Sequence, residues 1–201
     1  MNVNKTKFIG AMIFITMLMD VVPFLGFIRI GSISMTNLHI PATLTAIVLG
    51  PGYGVLVGSV FGIISLMRAV SRESAVLDVL LQNPLISVLP RLFFPFIAGY
   101  VNLFLENHLP RKLQLLATSI SSLAGSLSNS LMVIVALYML YPRQFREVLH
   151  LTYPKDIPMS IVRTFGPNLL MEAVACMTIC TLCVFALKRF TESDRHKKWR
   201  L

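Results

Sequence analysis

The sequence predicts an all-α membrane protein in which six transmembrane helices form one integral membrane domain over residues 1–201. Hydrophobic residues make up 55% of the chain and charged residues only 13%, whereas a soluble domain has roughly 25% charged residues. A helix needs about 20 apolar residues to cross a bilayer, and about six such spans with short connections can be placed. The spans lack the alternating pattern of outer-membrane strands, which favours helices.

The predicted spans are separated by polar, proline-containing or glycine-rich connections. The first span has no clean small-residue cleavage site, so we interpret it as a retained helix and not as a signal peptide. The outer loop that follows it, RIGSISMTN at residues 29–37, is expected to be partly extended. The predicted bounds are about 7–27, 38–49, 55–67, 86–105, 113–140 and 161–187.

Glycines organise the second and third spans. The GPGYG segment at residues 50–54 is expected to break any helix that runs through it. Gly54, Gly58 and Gly62 are spaced four apart on one face of the third span. Small residues at that spacing allow a neighbouring helix to come close, as transmembrane interfaces prefer.

The placement of basic residues predicts the orientation. The tail at residues 188–201 holds six of the 18 basic residues, and the positive-inside rule makes it cytoplasmic. With six spans, the N-terminus is cytoplasmic too. A polybasic site for RNA or anionic lipid is the alternative explanation of this tail, but we interpret it as a topology anchor and expect no nucleic-acid partner.

Polar side chains concentrate in the predicted outer half of the bilayer, which indicates a cavity open to the outside. The positive-inside rule disfavours arginines on the outer side of the membrane. A ligand carboxylate or phosphate would explain why they are present there. Internal pairing with Asp20, Asp78 and Glu172 is the alternative. The fourth span also carries two prolines, which predicts a helix broken where it lines the cavity. The outer-half residues are Asp20, Arg68, Asn83, Arg91, Asn129, Arg163, Asn168 and Glu172.

The sequence gives little support to an enzyme. It contains no HExxH motif and no nucleophile elbow, and its four histidines are far apart. Cys176, Cys180 and Cys183 have helical spacing and no accompanying His or Asp, so a packed face is expected there and no metal site. His39, beside the outer loop, could contact a ligand.

Four segments together resemble the substrate-binding (S) components of energy-coupling factor vitamin transporters, in the riboflavin/pantothenate-type branch. They follow one another in the order HIPATLTAIVLGPGYGVLVGSVFGIISLMRA, NPLISVLPRLFFPFIAGYVN, GSLSNSLMVIVALYML and PNLLMEAVA. Within them, LGPxxGxxxGxxFG and NPLxSxLPR are specific as a pair. The resemblance covers nearly the whole chain.

The resemblance implies a six-helix protein of the bacterial cell membrane that captures a B vitamin from outside. It would associate with a transmembrane coupling protein and two cytoplasmic ATPases, so that ATP is used by the partners and the chain itself needs no cofactor. The residues proposed for binding are Asn37, His39, Arg68, Arg91, Asn129, Asn168 and Glu172. The family pocket maps onto all of these except Arg68, and also onto Thr36. The docking face on the first helix maps onto Gly10, Ala11 and Phe14, an imperfect match to the family's small-residue pattern.

The outer arginines favour an anionic vitamin, and pantothenate carries a carboxylate. Arg91 is the first candidate for that carboxylate, with Asn129 and Asn168 as donors to hydroxyl and amide groups. Riboflavin, a pyridoxine- or hydroxymethylpyrimidine-type ligand and cobalamin remain alternatives within the family. A stand-alone proton-coupled secondary transporter, in which Asp20 or Glu172 titrates, and a membrane adaptor without a small ligand are alternatives from other classes.

Overall fold

A computed structural model describes residues 4–30, 33–71, 76–149 and 157–198. The described chain is helical apart from one short hairpin. Its elements, in chain order, are α1 (Lys5–Val21), α2 (Pro23–Gly26), β1 (Phe27–Ile30), β2 (Ile33–Thr36), α3 (Ile40–Leu49), α4 (Pro51–Ser71), α5 (Val76–Leu81), α6 (Pro84–Ser87), α7 (Leu89–His108), a 3₁₀ turn (Arg111–Leu113), α8 (Gln114–Leu140), α9 (Pro142–Val148) and α10 (Ile157–Lys198).

Four helical segments of the described chain are long and apolar enough to cross a membrane. They are Pro51–Ser71, Pro84–His108, Arg111–Leu140 and Met159–Phe190. α3 is apolar but has only ten residues, about 15 Å at 1.5 Å per residue, which is half of a hydrocarbon core of about 30 Å. α1 has 17 residues, about 26 Å at 1.5 Å per residue, and is not among these four segments. Six spans are therefore not confirmed.

The first outer loop was expected to be partly extended, and this is confirmed, because it forms a short β-hairpin in a described chain that is otherwise helical. β1 pairs antiparallel with β2, from Phe27 opposite Thr36 to Ile30 opposite Ile33. β-Branched residues at Ile28, Ile30 and Ile33 suit extended backbone. The hairpin places Thr36 directly before the buried turn that leads into α3.

The break between α3 and α4 is sharper than expected. Gly50 has φ of 109°, a conformation that L-residues with a side chain rarely adopt, and it ends α3. Pro51 then starts α4 at the first helical position, where proline is well tolerated. Gly52 and Gly54 lie inside α4, so the expectation that they too would break the helix was wrong.

The close approach predicted for the glycine face of α4 is confirmed. A Cβ at Gly54 would collide with Ala46 of α3, and one at Gly58 would collide with the carbonyl oxygen of Arg91 on α7. At Gly62 it would lie 3.2 Å from Val88. α4 is therefore fixed against both α3 and the start of α7.

The fourth predicted span is interrupted, but two residues before the first of its prolines. α6 ends at Ser87 and α7 begins at Leu89, with Val88 between them. Pro90 occupies the first turn of α7, where its missing N–H costs nothing, and α7 runs on through Pro95. The prediction of a helix broken by these prolines was wrong in position, because the discontinuity precedes both of them.

α3 lies at the centre of the packing, since residues Ile40 to Ile47 are all buried. One side of α3 packs on Cys176, Cys180 and Val184 of α10. The packed face expected for the cysteines is thus confirmed, with Cys176 and Cys180 fully buried. Leu38 and Ala42 pack on Phe61 and Phe94 of α4 and α7, and α1 covers this cluster with Ile9, Met12, Ile13 and Met19.

Candidate functional site

A cavity of about 150 Å³ lies between the hairpin, α4, α7, α8 and α10. One part of its wall is polar and another is apolar or aromatic. α8 and α10 together supply nine of the twelve lining residues, at helical spacing. The lining residues are Thr36, Phe61, Arg91, Asn129, Ser130, Val133, Ile134, Leu137, Phe165, Asn168, Leu169 and Glu172.

Glu172 ties three elements together at the cavity wall. Its Oε1 accepts a hydrogen bond of 2.7 Å from the backbone N–H of Thr36, and its Oε2 accepts one of 3.0 Å from Ser130 Oγ. The side chain is 7% exposed. Hydrogen bonds to a buried carboxylate are stronger than neutral ones, so Glu172 holds the end of the hairpin against α8 and α10.

Arg91 brings a positive charge to the same cavity and is 9% exposed. Its Nη1 donates to the carbonyl oxygen of Ile86 over 2.7 Å, and its Cζ lies 5.4 Å from the centroid of the Phe61 ring. Its Nε has no hydrogen-bond partner in the described part of the chain. Arg91 is therefore held in place by α6 and α4 and keeps a donor for another group.

Two of the predicted asparagines also line the cavity. Asn129 is 6% exposed, and no described residue donates to its Oδ1. Asn168 lines the cavity from α10. A buried amide oxygen without a partner is costly, so Asn129 is suited to receive a hydrogen bond from a bound molecule.

Asn37 and His39 are buried beside the cavity and do not line it. Asn37 donates its backbone N–H to Gly26 at 2.9 Å, while its Oδ1 lacks a partner among the described residues. The His39 ring is fully buried, with its edge toward Phe94 at 6.2 Å between centroids. The backbone of Thr36 approaches the ring, but neither ring nitrogen makes a hydrogen bond of normal geometry to a described residue.

Arg68 lies away from the cavity, in contact with α1. It forms an ion pair with Asp20 and also donates to the carbonyl oxygen of Asp20 at 2.7 Å. Internal pairing, the alternative explanation of the outer arginines, is therefore confirmed for this one. Arg163 is exposed on α10 and is not among the lining residues. Asp78 lies on α5, and its side chain is outside the described part of the structure.

The sequence analysis missed the apolar wall but named five of the lining residues, which are Thr36, Arg91, Asn129, Asn168 and Glu172. The missed residues share the helical faces of the predicted ones: Ser130, Val133, Ile134 and Leu137 follow Asn129 on α8, and Phe165 and Leu169 accompany Asn168 on α10. Helical periodicity around the two asparagines could have identified them. Phe61, on α4, had no such signal in the sequence.

The residues proposed for docking lie on an open face of α1. Gly10 and Ala11 are exposed, and Phe14 is 64% exposed. A Cβ added at Gly10 would meet no atom within 4 Å. In the described chain, no group of three or more His, Cys, Asp or Glu side chains is placed to hold a metal ion.

The architecture defines a class: a multi-pass membrane protein whose helices enclose a small polar cavity lined by one arginine and one glutamate. Residues 7–184 match the family described as "ECF transporter, substrate-specific component", and the chain belongs to that family. It is thus a substrate-binding transport subunit and not an enzyme. The resemblance found in the sequence motifs is confirmed.

A curated relative is the protein named "Pantothenate transporter PanT" from Leuconostoc mesenteroides subsp. mesenteroides. It is 30% identical to this chain over 115 residues. The match covers 53% of this chain, and the chain spans about half, 56%, of the length of that relative.

Proposed function

We propose that this chain is the S component that captures pantothenate from outside the cell and delivers it through an ATP-driven energy-coupling module. Membership of the family supports the transport role. The similarity to a protein named as a pantothenate transporter supports the choice of vitamin. The substrate proposal depends most on one feature of the cavity, the charge of Arg91.

Arg91 supports an anionic ligand because no carboxylate of the described residues lies within ion-pair distance of its guanidinium group, although Glu172 in the same cavity interacts with it electrostatically over a longer distance. Arg68 differs, since Asp20 already neutralises it. The guanidinium group presents donors in a planar fork that suits a carboxylate, and the orphan Nε of Arg91 provides one of them. Glu172, the acidic group of the cavity lining, is engaged by Thr36 and Ser130.

The rest of the wall suits the remainder of pantothenate. This vitamin carries two hydroxyl groups and an amide N–H, all of which donate hydrogen bonds. Asn129 Oδ1 is a buried acceptor that no described residue satisfies. Val133, Ile134 and Leu137 offer an apolar surface to the gem-dimethyl group of the ligand.

We assign the protein to the bacterial cell membrane, with six crossings and both termini cytoplasmic. α1 and α3 would provide the two crossings beyond the four long apolar segments. The hairpin before α3 would complete the second crossing, because α3 alone is too short. α10 continues as a helix to Lys198, so the basic tail would project into the cytoplasm as a helical extension.

The partners in this proposal are a transmembrane coupling protein and two cytoplasmic ATPases, which supply the ATP hydrolysis. Docking on the face around Gly10, Ala11 and Phe14 is supported by its exposure and by the open space at Gly10. Ala11→Phe should reduce recovery of the coupling protein in co-purification and leave vitamin binding intact. The control is Val174→Phe at an exposed position of α10. Equal recovery with both variants would contradict the assigned face.

The vitamin is tested by calorimetric titration of the protein in nanodiscs with a panel of ligands. Pantothenate should bind, while riboflavin, pyridoxine, hydroxymethylpyrimidine and cobalamin should give no heat above dilution. Tight binding of a neutral vitamin in place of pantothenate would overturn the substrate proposal. Uptake by the lone chain in liposomes, driven by a pH gradient, would overturn the proposed energy coupling.

A further inference from the structure

A second cavity, of about 240 Å³, lies near the other end of the helix bundle. Its wall combines the C-terminal end of α3, the last turns of α7, the start of α8 and the later part of α10. The lining residues are Ile47, Val48, Glu106, Gln114, Val184 and Lys188. Gln114 of this cavity and Asn129 of the first cavity are about 22 Å apart along α8, so the two cavities are separate.

The second cavity lies where apolar segments end. The membrane-crossing segments end at His108 and Phe190, and another begins at Arg111; Glu106, Gln114 and Lys188 are each within three residues of one of these points. The cavity therefore faces the boundary between hydrocarbon and water. Basic residues gather at the same end, with Arg111 and Lys112 in the 3₁₀ turn.

Two opposite charges, Glu106 and Lys188, line the cavity without forming an ion pair with each other. Glu106 forms neither an ion pair nor a hydrogen bond with any described residue. Lys188 donates to the side-chain oxygen of Gln114 over 2.8 Å, which leaves two of its three ammonium protons for other acceptors. Ile47, Val48 and Val184 make the rest of the wall apolar.

We infer that this cavity binds the headgroup of an aminophospholipid of the phosphatidylethanolamine type. The phosphodiester would accept hydrogen bonds from Lys188, and the primary ammonium would donate to Glu106. The apolar wall would contact the glycerol and the first methylenes of the acyl chains. Pockets between membrane helices that present basic groups bind lipid headgroups. Here Lys188 supplies the basic group, and the carboxylate of Glu106 selects among the headgroups.

Glu106 distinguishes this lipid from two others that share the phosphodiester. Phosphatidylcholine carries a quaternary ammonium, which cannot donate a hydrogen bond. Phosphatidylglycerol carries no ammonium at all and would bring its phosphate charge to Glu106 without compensation. Losing one charge-assisted hydrogen bond weakens binding by about tenfold or more.

Native mass spectrometry of the detergent-purified full chain, titrated with lipids of identical acyl chains, tests this inference. Phosphatidylethanolamine should bind about tenfold more tightly than phosphatidylcholine. Glu106→Gln should remove that preference, whereas Lys188→Gln should weaken both lipids. Glu147→Gln, with the same charge change at an exposed position of α9, and Lys112→Gln, in the 3₁₀ turn, are the matched controls and should behave as the wild type.

Equal binding of the two lipids by the wild type would overturn the inference, as would an unchanged preference in Glu106→Gln. Glycerophosphoethanolamine carries the headgroup without acyl chains, and at the same concentration it should displace none of the lipid. Full displacement by it would overturn the assignment to a lipid. These measurements do not involve the vitamin, so they test the lipid inference independently of the proposed transport function.

Discussion

The contact of α4 with α7 can be tested with two identical substitutions in one helix. Gly58→Ala would place a Cβ against the carbonyl oxygen of Arg91 and 2.9 Å from Pro95 Cγ. Gly52→Ala would place one where no atom lies within 4 Å. Gly to Ala gains about 0.5–1 kcal/mol inside a helix. Because Gly52 lies in the first turn of α4, its gain is no larger than that of Gly58, and the difference between the two variants is a lower limit on the cost of overpacking.

Overpacking of a close-packed site costs about 1–3 kcal/mol. For a chain of this size, 1 kcal/mol shifts Tm by about 2–4 °C. Gly58→Ala should therefore unfold about 2–12 °C below Gly52→Ala. It should also bind pantothenate more weakly, because the new methyl group pushes on the backbone of the residue proposed to hold the carboxylate.

The assay is thermal unfolding in a single detergent, followed by intrinsic fluorescence or light scattering, together with a binding titration of each variant. Gly52→Ala should match or exceed the Tm of the wild type, and its affinity should be unchanged. Equal Tm values for the two variants would refute the close approach of α4 to α7. A lower Tm for Gly58→Ala with unchanged affinity would refute the link from this contact to Arg91.

Two further variants probe the ion pair and the hairpin. Asp20→Asn should lower the free energy of unfolding by about 1 kcal/mol, since the ion pair with Arg68 is partly exposed. The double variant Asp20→Asn/Arg68→Gln should lose less stability than the sum of the two single changes. Strictly additive changes in Tm would argue against the ion pair. Glu172→Ala removes both hydrogen bonds to Thr36 and Ser130, so hydrogen exchange at the Thr36 amide should accelerate about tenfold or more; unchanged exchange would show that Glu172 does not hold the hairpin.

Features with a local cause could be predicted from the sequence. The spacing of Gly54, Gly58 and Gly62 identified a close helix contact, because helical periodicity puts them on one face. The helical spacing of the cysteines identified a packed face for the same reason. Arg91, Asn129, Asn168 and Glu172 could be grouped because buried polar residues in a membrane protein are rare and usually functional.

Features that depend on distant residues were harder to predict. Asp20 and Arg68 are 48 positions apart, and no local sequence pattern indicates which arginine an acidic residue will contact. The extended loop at residues 29–37 and the end of the second span at Leu49 were expected, but the pairing of β1 with β2 was not, because apolar spans carry no information about strand pairing. The apolar side of the cavity was missed because Val133, Ile134 and Leu137 resemble lipid-facing residues in type, and only their helical spacing from Asn129 distinguishes them.

The measurement that most directly tests the central claim compares pantothenate with pantothenol, in which a hydroxymethyl group replaces the carboxylate. The wild type should prefer pantothenate by about 10- to 100-fold, the value of one charge-assisted hydrogen bond. Arg91→Met should bind both compounds equally, and Arg163→Gln, the exposed control on α10, should keep the preference. Pantothenol binding by Arg91→Met verifies that the variant is folded. A preference that survives in Arg91→Met would contradict the account.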